Sequence, residues 1–292
     1  MNTYFINDEK TCLIDTSVET IPHTLIQGLK KIGKNLTDID YVLISHIHLE
    51  HIASLAYIKN HAPNCIILTS PMNADYLANF EQYVKTAFQQ NRDFQTVPGL
   101  TEFYQDLFSP IKSVQVNGIL KENDQISLGT YELTVLETPG HCAEEITFLC
   151  KKKRLYFSSD FIIGDKLETW IAINPIFEHY GGDRRKYLSS LQKIAQLKNK
   201  IDIIFPAHGN IIHNPRKKID MLLKLADEAP KQVLSILNTG PKTLEELVQI
   251  CHNKNSTIDR KFYNASRRMR ALLKYLLEEK KIYKKGEYYF IV

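Results

Sequence analysis

The stretch YVLISHIHLEHIASL, from Tyr41 to Leu55, follows a run of apolar residues with a dense group of histidines. His46, His48 and His51 lie within six residues of one another, and Glu50 stands among them. Neutral imidazole is the commonest protein ligand for metals of intermediate hardness. A single histidine is usually structural, but three histidines and a carboxylate after one predicted strand indicate a metal site.

Other apolar runs also end in polar residues that can bind metals. These runs are rich in β-branched and aromatic residues and are typical of strands: TCLIDT, CIILTS, YELTVLETPGH, RLYFSSD and IDIIFPAHG. Asp15, His141, Asp160 and His208 stand at or next to their ends. Polar groups at strand ends meet at one edge of a layered sheet, so we expect these side chains to converge. Helical patterns over 51–60 and 184–198 complete an α/β class.

Length and composition place limits on the class of protein. The chain has 292 residues, of which 43% are hydrophobic and 24% charged, which is enough for one large domain and a small one. The first residues lack a signal-peptide pattern, and no apolar run approaches the roughly 18 residues of a membrane span. Five cysteines without a C-x-x-C pair argue against a disulfide framework. We therefore expect a cytoplasmic protein without membrane contact.

The distribution of charge predicts two modules. Residues 1–214 carry 20 basic and 24 acidic side chains, whereas residues 215–292 carry 17 basic and 9 acidic ones. In the second part, the TLEE sequence beginning at Thr243 is a capping-box pattern that opens a short helix. A longer helical pattern covers 258–279, and a hairpin is predicted to turn at Lys285 and Gly286. Helix, helix and hairpin form the outline of a winged helix.

Residues 72–110 interrupt the succession of strands and have a mainly helical pattern. Two interpretations remain open: the segment is a cap over the site, or its aromatic residues bury a core of its own. The aromatic residues are Phe80, Tyr83, Phe88, Phe94, Phe103, Tyr104 and Phe108.

With Asp15, the motifs HIHLEH, TPGH, SSD and PAHG resemble, in order and spacing, those of the metallo-β-lactamase-fold hydrolases. The resemblance covers about residues 1–214 and implies a four-layer αβ/βα sandwich with a dinuclear metal site at one edge. The C-terminal part and the segment GGDRRKYLSSLQKIAQL resemble, less specifically, a subgroup with a small C-terminal winged-helix domain.

The resemblance also implies a role for each motif residue. His46, His48 and His141 would hold the first metal ion; Glu50, His51 and His208 would hold the second; and Asp160 would bridge the two. Asp15 would orient the ligands through hydrogen bonds, unless it is an ordinary turn-forming residue. Among divalent ions, zinc is favoured, with manganese or iron as alternatives. A hydroxide shared by the two ions would be the nucleophile, since metal binding lowers the pKa of water to about 7. Asp160, Glu50 and Asp15 are therefore the expected catalytic carboxylates.

Three positions depart from the family pattern. Glu50 replaces the usual Asp and is one methylene longer, yet we expect it to bind the second ion. Ser159 stands where glycine is common, and CAEE, residues 142–145, replaces smaller residues. Cys142 is either a soft ligand or a packed thiol, and the two glutamates either support the site or form a solvated turn.

Three functional hypotheses follow. The first is a hydrolase of a small ester, thioester or lactone. The second is a ribonuclease or phosphodiesterase whose basic C-terminal module binds RNA, although we expect weak binding at most. The third is a metal-sensing regulator that binds DNA. The long helix supplies the basic residues for phosphate contacts, or else a solvated face that covers the first module: Arg267, Arg268, Arg270 and Lys274. Tyr288, Tyr289 and Phe290 are predicted to pack the wing, and the oligomeric state stays open.

Overall fold

The computed structural model describes residues 1–90, 100–164, 182–252 and 260–292. Two five-stranded sheets form the centre of the molecule. The first contains β1 to β5 in chain order: Tyr4–Ile6, Cys12–Ile14, Tyr41–Leu43, Ile66–Thr69 and Gly118–Ile119. Its first pair is antiparallel and the others are parallel. The carboxyl ends of β2, β3 and β4 therefore lie at the same edge of the sheet.

The second sheet has the order β10-β9-β8-β7-β6. Its strands β6 to β10 are Gln125–Ser127, Glu132–Glu137, Ile146–Cys150, Leu155–Ser159 and Ile203–Pro206. The pairs are antiparallel except for β9 with β10, which run parallel. The residues that follow β9 and β10, Asp160 and His208, consequently lie at one edge.

Helices surround the two sheets. The described helices of the first module, α1 to α7, are His23–Lys31, Leu49–Ile52, Leu55–His61, Pro71–Ala78, Phe80–Gln90, Leu100–Phe108 and Arg184–Leu197. The second module contains α8 to α10: Pro215–Leu237, Leu244–His252 and Arg260–Glu278. None of the described helices has the length and apolar character needed to cross a membrane.

The buried side chains form three clusters that alternate with the sheets. One lies between the sheets and contains Leu43 from the first and Phe148 from the second. Another packs the outer face of the first sheet, with Val42, against helices such as α3. The last packs the outer face of the second sheet, with Tyr156, against α7 and the C-terminal helices. The resulting layers are helices, sheet, sheet and helices, held by burial of apolar surface.

The described part of segment 72–110 is helical, as predicted. Phe80 and Phe108 are buried in the same cluster as Ile52 and Leu55, so they belong to the core of the first module. Phe103 is exposed, and Phe94 lies outside the described residues. The interpretation that the segment buries a core of its own is therefore wrong for Phe80 and Phe108, which pack into the main core.

The C-terminal part contains every element predicted for it. Thr243 and Glu246 form the reciprocal capping box: Glu246 accepts from the Thr243 N–H at 2.7 Å and donates its own N–H to the Thr243 hydroxyl at 3.2 Å. The hairpin strands β12, Ile282–Lys285, and β13, Tyr288–Ile291, form a three-stranded sheet with β11, Lys242–Thr243. One buried cluster runs from Tyr187 of the first module through to this sheet.

The prediction that α10 presents an exposed basic face is wrong for three of its four basic residues. Arg267 is only 5% exposed and Arg268 and Arg270 are half-buried, so only Lys274 of the four is exposed. The reason is that α10 contacts α7, α8, α9 and β12 and is therefore enclosed on several sides. The prediction that Tyr288 packs the wing is also wrong, because its side chain is 48% exposed. Tyr289 is buried as predicted.

Candidate metal centre

Asp15 directly follows β2 and has a positive φ of 57°, which is uncommon for a residue other than glycine. Its carboxylate Oδ1 accepts a hydrogen bond from the Ser45 N–H at 2.8 Å, and Oδ2 accepts from the Ser45 hydroxyl at 2.9 Å. Oδ2 also lies 2.8 Å from His51 Nδ1. Asp15 thus connects the end of β2 to the histidine segment and fixes the orientation of the His51 ring.

The first group of side chains brings three imidazoles together. His48 Nδ1 lies 2.9 Å from His46 Nε2 and 2.9 Å from His141 Nε2. A ring nitrogen carries either one proton or one lone pair, so His48 Nδ1 cannot satisfy both contacts as hydrogen bonds. All three rings are buried, and Asp160 Oδ2 lies 3.4 Å from His141 Nε2. Four donor atoms therefore converge on one point.

The second group forms on the other side of Asp160. Its Oδ1 lies 3.6 Å from His51 Nε2 and 3.4 Å from His208 Nε2. Glu50 Oε1 lies 3.8 Å from His208 Nε2. The two oxygens of Asp160 thus face different sets of nitrogens, which is the arrangement that a bridging carboxylate requires.

These separations fit divalent cations. Zinc binds nitrogen and oxygen ligands at roughly 2.0–2.2 Å, so ligand atoms of a tetrahedral site lie about 3.4 Å apart. The six separations given above range from 2.9 to 3.8 Å, and all ligand atoms of each group lie within 4.8 Å of one another. His51 Nε2 is buried and has no hydrogen-bond partner, although buried polar atoms are normally paired. The donor set of imidazoles and carboxylates suits zinc, manganese or iron.

The protonation of the site favours cation binding at His46 and Glu50 and opposes it at His51. Burial and the neighbouring imidazoles hold the pKa of His46 well below its usual range, so its ring is neutral. Burial disfavours ionisation of Glu50, but hydrogen bonding and charge from the neighbouring histidines outweigh it and lower its pKa. Burial also opposes a charge on His51, yet Asp15 and Asp160 raise its pKa to about 9. A cation that binds His51 must therefore displace a proton.

A network of hydroxyl groups lies behind His46. The Ser45 hydroxyl donates to Asp15 and lies 3.0 Å from His46 Nδ1. The Ser159 hydroxyl donates to Ser45 Oγ at 2.7 Å. Ser159 has a φ of 48°, which explains why glycine is common there, but its hydroxyl completes the network. The Nδ1 contact is satisfied when that nitrogen carries the ring proton, which leaves Nε2 of His46 as a lone pair.

The sequence left Glu145 open between a solvated turn and support of the site. Glu145 is fully buried, and its Oε1 accepts a hydrogen bond from the Asp160 N–H at 3.1 Å. Burial and the charge of Asp160 raise the pKa of Glu145 well above its usual range. The solvated-turn interpretation is therefore wrong for Glu145, while Glu144 is half-buried. Cys142 is buried, its thiol pKa is raised by burial, and it belongs to neither donor group.

Close packing at Gly140 positions the loop that carries His141. Gly140 has a φ of 149°, and a Cβ atom there would overlap the backbone of Tyr187 in α7. On the other side of the loop, the side chain of Asn73 in α4 donates to the Glu144 carbonyl at 3.1 Å and to the Ser45 carbonyl at 3.3 Å. Helices from both outer layers therefore hold the ligand segments in place.

The site opens toward the second group. The side chains of Glu50 and His208 are 33% and 38% exposed, whereas that of Asp160 is 5% exposed. The three imidazoles of the first group are buried. Among the described residues, a substrate would therefore first meet Glu50 and His208.

A sequence profile of the Metallo-beta-lactamase superfamily matches residues 2–208, which is most of the chain. The chain belongs to this superfamily. A metallo-beta-lactamase family protein from Thermus thermophilus has the same fold, with a TM-score of 0.79 and 20% sequence identity. The match covers 100% of this chain and 93% of that one. The family membership predicted from the motifs is confirmed. Membership of a subgroup with a C-terminal winged helix stays a prediction.

Curated relatives are similar to the chain at low identity. Beta-lactamase-like protein 2 homolog of Drosophila melanogaster is 24% identical over 241 residues, 82% of this chain and 69% of that protein. Hydroxyacylglutathione hydrolase of Methylobacterium nodulans is 26% identical over 47% of this chain and 38% of its own length. Acyl-coenzyme A thioesterase MBLAC2 of Gallus gallus is 21% identical over 57% and 55%, respectively. With this membership, the protein is a metal-dependent hydrolase.

Proposed function

We propose that the two donor groups hold two divalent cations, with zinc favoured over manganese or iron. His46, His48 and His141 form the first site, Glu50, His51 and His208 form the second, and Asp160 bridges them. The observation that carries this proposal is the position of Asp160, whose two oxygens face separate nitrogen sets at 3.4–3.6 Å. Bound cations would lower the pKa of water to about 7 and polarise the scissile bond.

The residues of the chain prepare this chemistry. Asp15 orients His51 directly, and it orients His46 through the hydroxyl of Ser45. A ring fixed in this way needs no reorganisation when a cation or substrate arrives. Because the first group is buried and the second is partly exposed, the substrate enters beside Glu50 and His208. His51 would have to release its proton before it could hold a cation in the second site.

The substrate class that we favour is a thioester, ahead of a small ester or a lactone. Two curated relatives support this choice: one is named for hydroxyacyl-glutathione and the other for acyl-coenzyme A. Both substrates are thioesters, and the same chemistry serves both, since water attacks the carbonyl carbon and a thiol leaves. Thioester hydrolysis is thus the activity we expect to dominate.

The experiment is a substrate panel with metal content measured on the same sample. It contains a hydroxyacyl-glutathione, short and long acyl-coenzyme A thioesters, a chromogenic ester, a lactone, bis-p-nitrophenyl phosphate and labelled RNA. Asp160→Asn should reduce kcat/KM by about 100-fold or more, as losses in such sites commonly do. Asp202→Asn is the matched control, because Asp202 is an exposed acid paired with Arg154 at 2.6 Å. Phosphodiester cleavage without thioester cleavage would overturn the proposal.

A second candidate function is that of a metal-dependent ribonuclease. It would bind RNA through a surface other than the predicted basic face of α10. On the outer face of the C-terminal hairpin, Tyr283 and Tyr288 are 49% and 48% exposed. Phe290 stacks on Tyr283 at 5.0 Å, and Lys285 is the register partner of Tyr288. Exposed aromatic rings beside lysines are typical of surfaces on which the bases of single-stranded nucleic acid stack. We interpret the module as winged-helix-like, with this face as the candidate RNA surface.

This second candidate has its own test. RNA affinity should fall with salt with a slope of roughly −0.7 per phosphate contacted on a log–log plot. Tyr283→Ala with Lys285→Ala should weaken binding about tenfold and flatten the slope. The control pair is Lys151→Ala with Lys153→Ala, exposed basic residues after β8 in the other module. Tight RNA binding with cleavage would place the ribonuclease ahead of the thioesterase.

We also assign the protein to the cytoplasm. All five cysteines are free thiols, and four of them are buried. This supports the reducing compartment expected from the sequence. Fractionation of the source cells would test it.

A further inference from the structure

Glu145 stands where three ligand-bearing segments meet. Its carbonyl accepts from the Thr138 N–H at 2.8 Å, which closes the loop that carries His141. The next residue, Ile146, donates its N–H to the Ser45 carbonyl at 3.1 Å, next to His46. The Glu145 side chain reaches the third segment, where its Oε1 accepts from the Asp160 N–H at 3.1 Å.

A buried carboxyl group at this place is costly to the fold. Glu145 is fully buried, and its Oε2 has no hydrogen-bond partner. An apolar side chain of similar volume would avoid the cost of desolvating that oxygen. The stability of the fold alone therefore does not explain a glutamate at this position. Its hydrogen bond to the turn that carries Asp160 does.

We propose that Glu145 is a positioning residue that fixes the turn of Ser159 to Phe161 and thereby the bridging carboxylate of Asp160. This inference rests on the proposed dinuclear site. The Oε1 acceptor holds the Asp160 N–H at 3.1 Å, and the next N–H of the turn, that of Phe161, donates to the Ser158 carbonyl at 3.0 Å. A small rotation of the turn would move both Asp160 oxygens at once, away from His141 on one side and from His51 on the other.

The role requires an acceptor oxygen at this position and does not require a negative charge. Glutamine keeps that oxygen and the length of the side chain. Leucine removes the acceptor, and aspartate keeps an acceptor but withdraws it by one methylene. The three variants therefore separate hydrogen-bond positioning from charge and from simple filling of space.

The test is a titration of the metal-free protein with cobalt, followed by bound metal and by the absorption spectrum of the cobalt. Glu145→Gln should bind two ions with affinities within about threefold of the wild-type values. Glu145→Leu should lose about 10- to 100-fold in affinity for one or both ions, with an altered spectrum. The melting temperature of its metal-free form measures any general loss of stability separately. Glu145→Asp should lose less metal affinity than Glu145→Leu. It replaces the leucine variant in the comparison if that variant does not fold.

Glu144→Gln is the matched control, since Glu144 is the adjacent glutamate and is not fully buried. It should leave cobalt binding and the spectrum unchanged. Leucine or aspartate variants that bind both ions as tightly as the wild type would overturn the role of Glu145 and leave the dinuclear site untouched. A glutamine variant that loses as much metal affinity as the leucine variant would do the same. A wild-type protein that binds no cobalt would overturn the dinuclear site itself, and this inference with it.

Discussion

At the scale of single residues, Glu50 is the departure from the family pattern with the most direct chemical consequence. It lies in the first turn of α2, directly before His51, and its Oε1 is 3.8 Å from His208 Nε2. Its side chain is 33% exposed and lies at the opening of the site beside His208. The geometry supports the expectation that Glu50 binds the second ion.

Glu50→Gln keeps the shape of the side chain and removes its charge. We expect the second ion to bind about tenfold or more weakly while the first is retained, because carboxylate charge balances the cations. Metal stoichiometry across a series of chelator concentrations measures both affinities. Equal loss of both ions would contradict the assignment of Glu50 to the second site.

Glu50→Asp tests whether the backbone has adapted to the longer side chain. Metal–oxygen distances tolerate only about 0.2 Å of error, so a carboxylate withdrawn by one methylene should bind less well. We expect lower occupancy of the second site at limiting zinc. Tighter zinc binding and faster turnover would instead show that Glu50 is a substitution that tunes the site toward another metal.

The sequence predicted which histidines and carboxylates converge more completely than it predicted the residues behind them. His46, His48 and His51 are close in the chain, and the other donors follow strands, so the strand pattern was sufficient to bring them together. For Glu145 the sequence left a solvated turn and support of the site both open, because its burial depends on how the turn packs against Asp160. Such a contact between distant segments leaves no periodic pattern in the sequence.

At the scale of secondary-structure elements, α4 connects segment 72–110 to the site. Asn73 is buried and donates to the carbonyls of Ser45 and Glu144. Because Phe80 and Phe108 belong to the main core, deletion of 72–110 would expose apolar residues of the first module. A point variant therefore tests the cap interpretation better than a deletion does.

Asn73→Ala should leave metal content unchanged but alter the ratio of kcat/KM between long and short acyl thioesters by about threefold or more. The physical reason is that α4 loses its Asn73 hydrogen bonds to the His141 loop and to Ser45, at a cost of about 0.5–1.5 kcal/mol each. The two carbonyls each keep a second donor, the Ser70 hydroxyl for Glu144 and the Ile146 N–H for Ser45. Asn79→Ala is the control, because Asn79 is exposed at the end of the same helix. Unchanged selectivity in Asn73→Ala would leave the segment a packing role only.

Two variants of α10 distinguish a buried helix from a nucleic-acid surface. Arg267→Ala should lower the free energy of unfolding by about 1–3 kcal/mol, because the side chain is buried between elements. Lys274→Ala changes an exposed residue and should cost less than about 0.5 kcal/mol. Chemical denaturation of both variants measures the difference. Equal stability of the two would contradict the packing of α10 described above.

Strand prediction from the sequence found six of the ten strands of the two central sheets. β2, β3, β4, β7, β9 and β10 were all expected, whereas β1, β5, β6 and β8 were not. β5 has two residues and β6 has three, which is too short for a periodic signal. The sequence correctly predicted that α10 is helical. It did not predict how much of the helix is buried, because that depends on how many other elements pack around it.

At the scale of the whole molecule, the two modules differ in charge but share a core. The second module has a net charge of +8 and the first of −4. One cluster of buried residues nevertheless runs from Tyr187 and Leu191 to Leu276 and Tyr289. The boundary at residue 214 stays a prediction, and we expect both modules to melt in a single cooperative transition. Two separate calorimetric transitions would contradict this.

The most direct test of the account is a titration of the chelator-treated protein with zinc, with bound metal and thioester hydrolysis measured on the same samples. Activity should rise with bound metal and reach a plateau at about two ions per chain. His48→Ala should bind about one ion fewer and stay nearly inactive at every zinc concentration, because a site with three imidazoles rarely survives the loss of one. A metal-free protein that hydrolyses the thioester at the full rate would contradict the account.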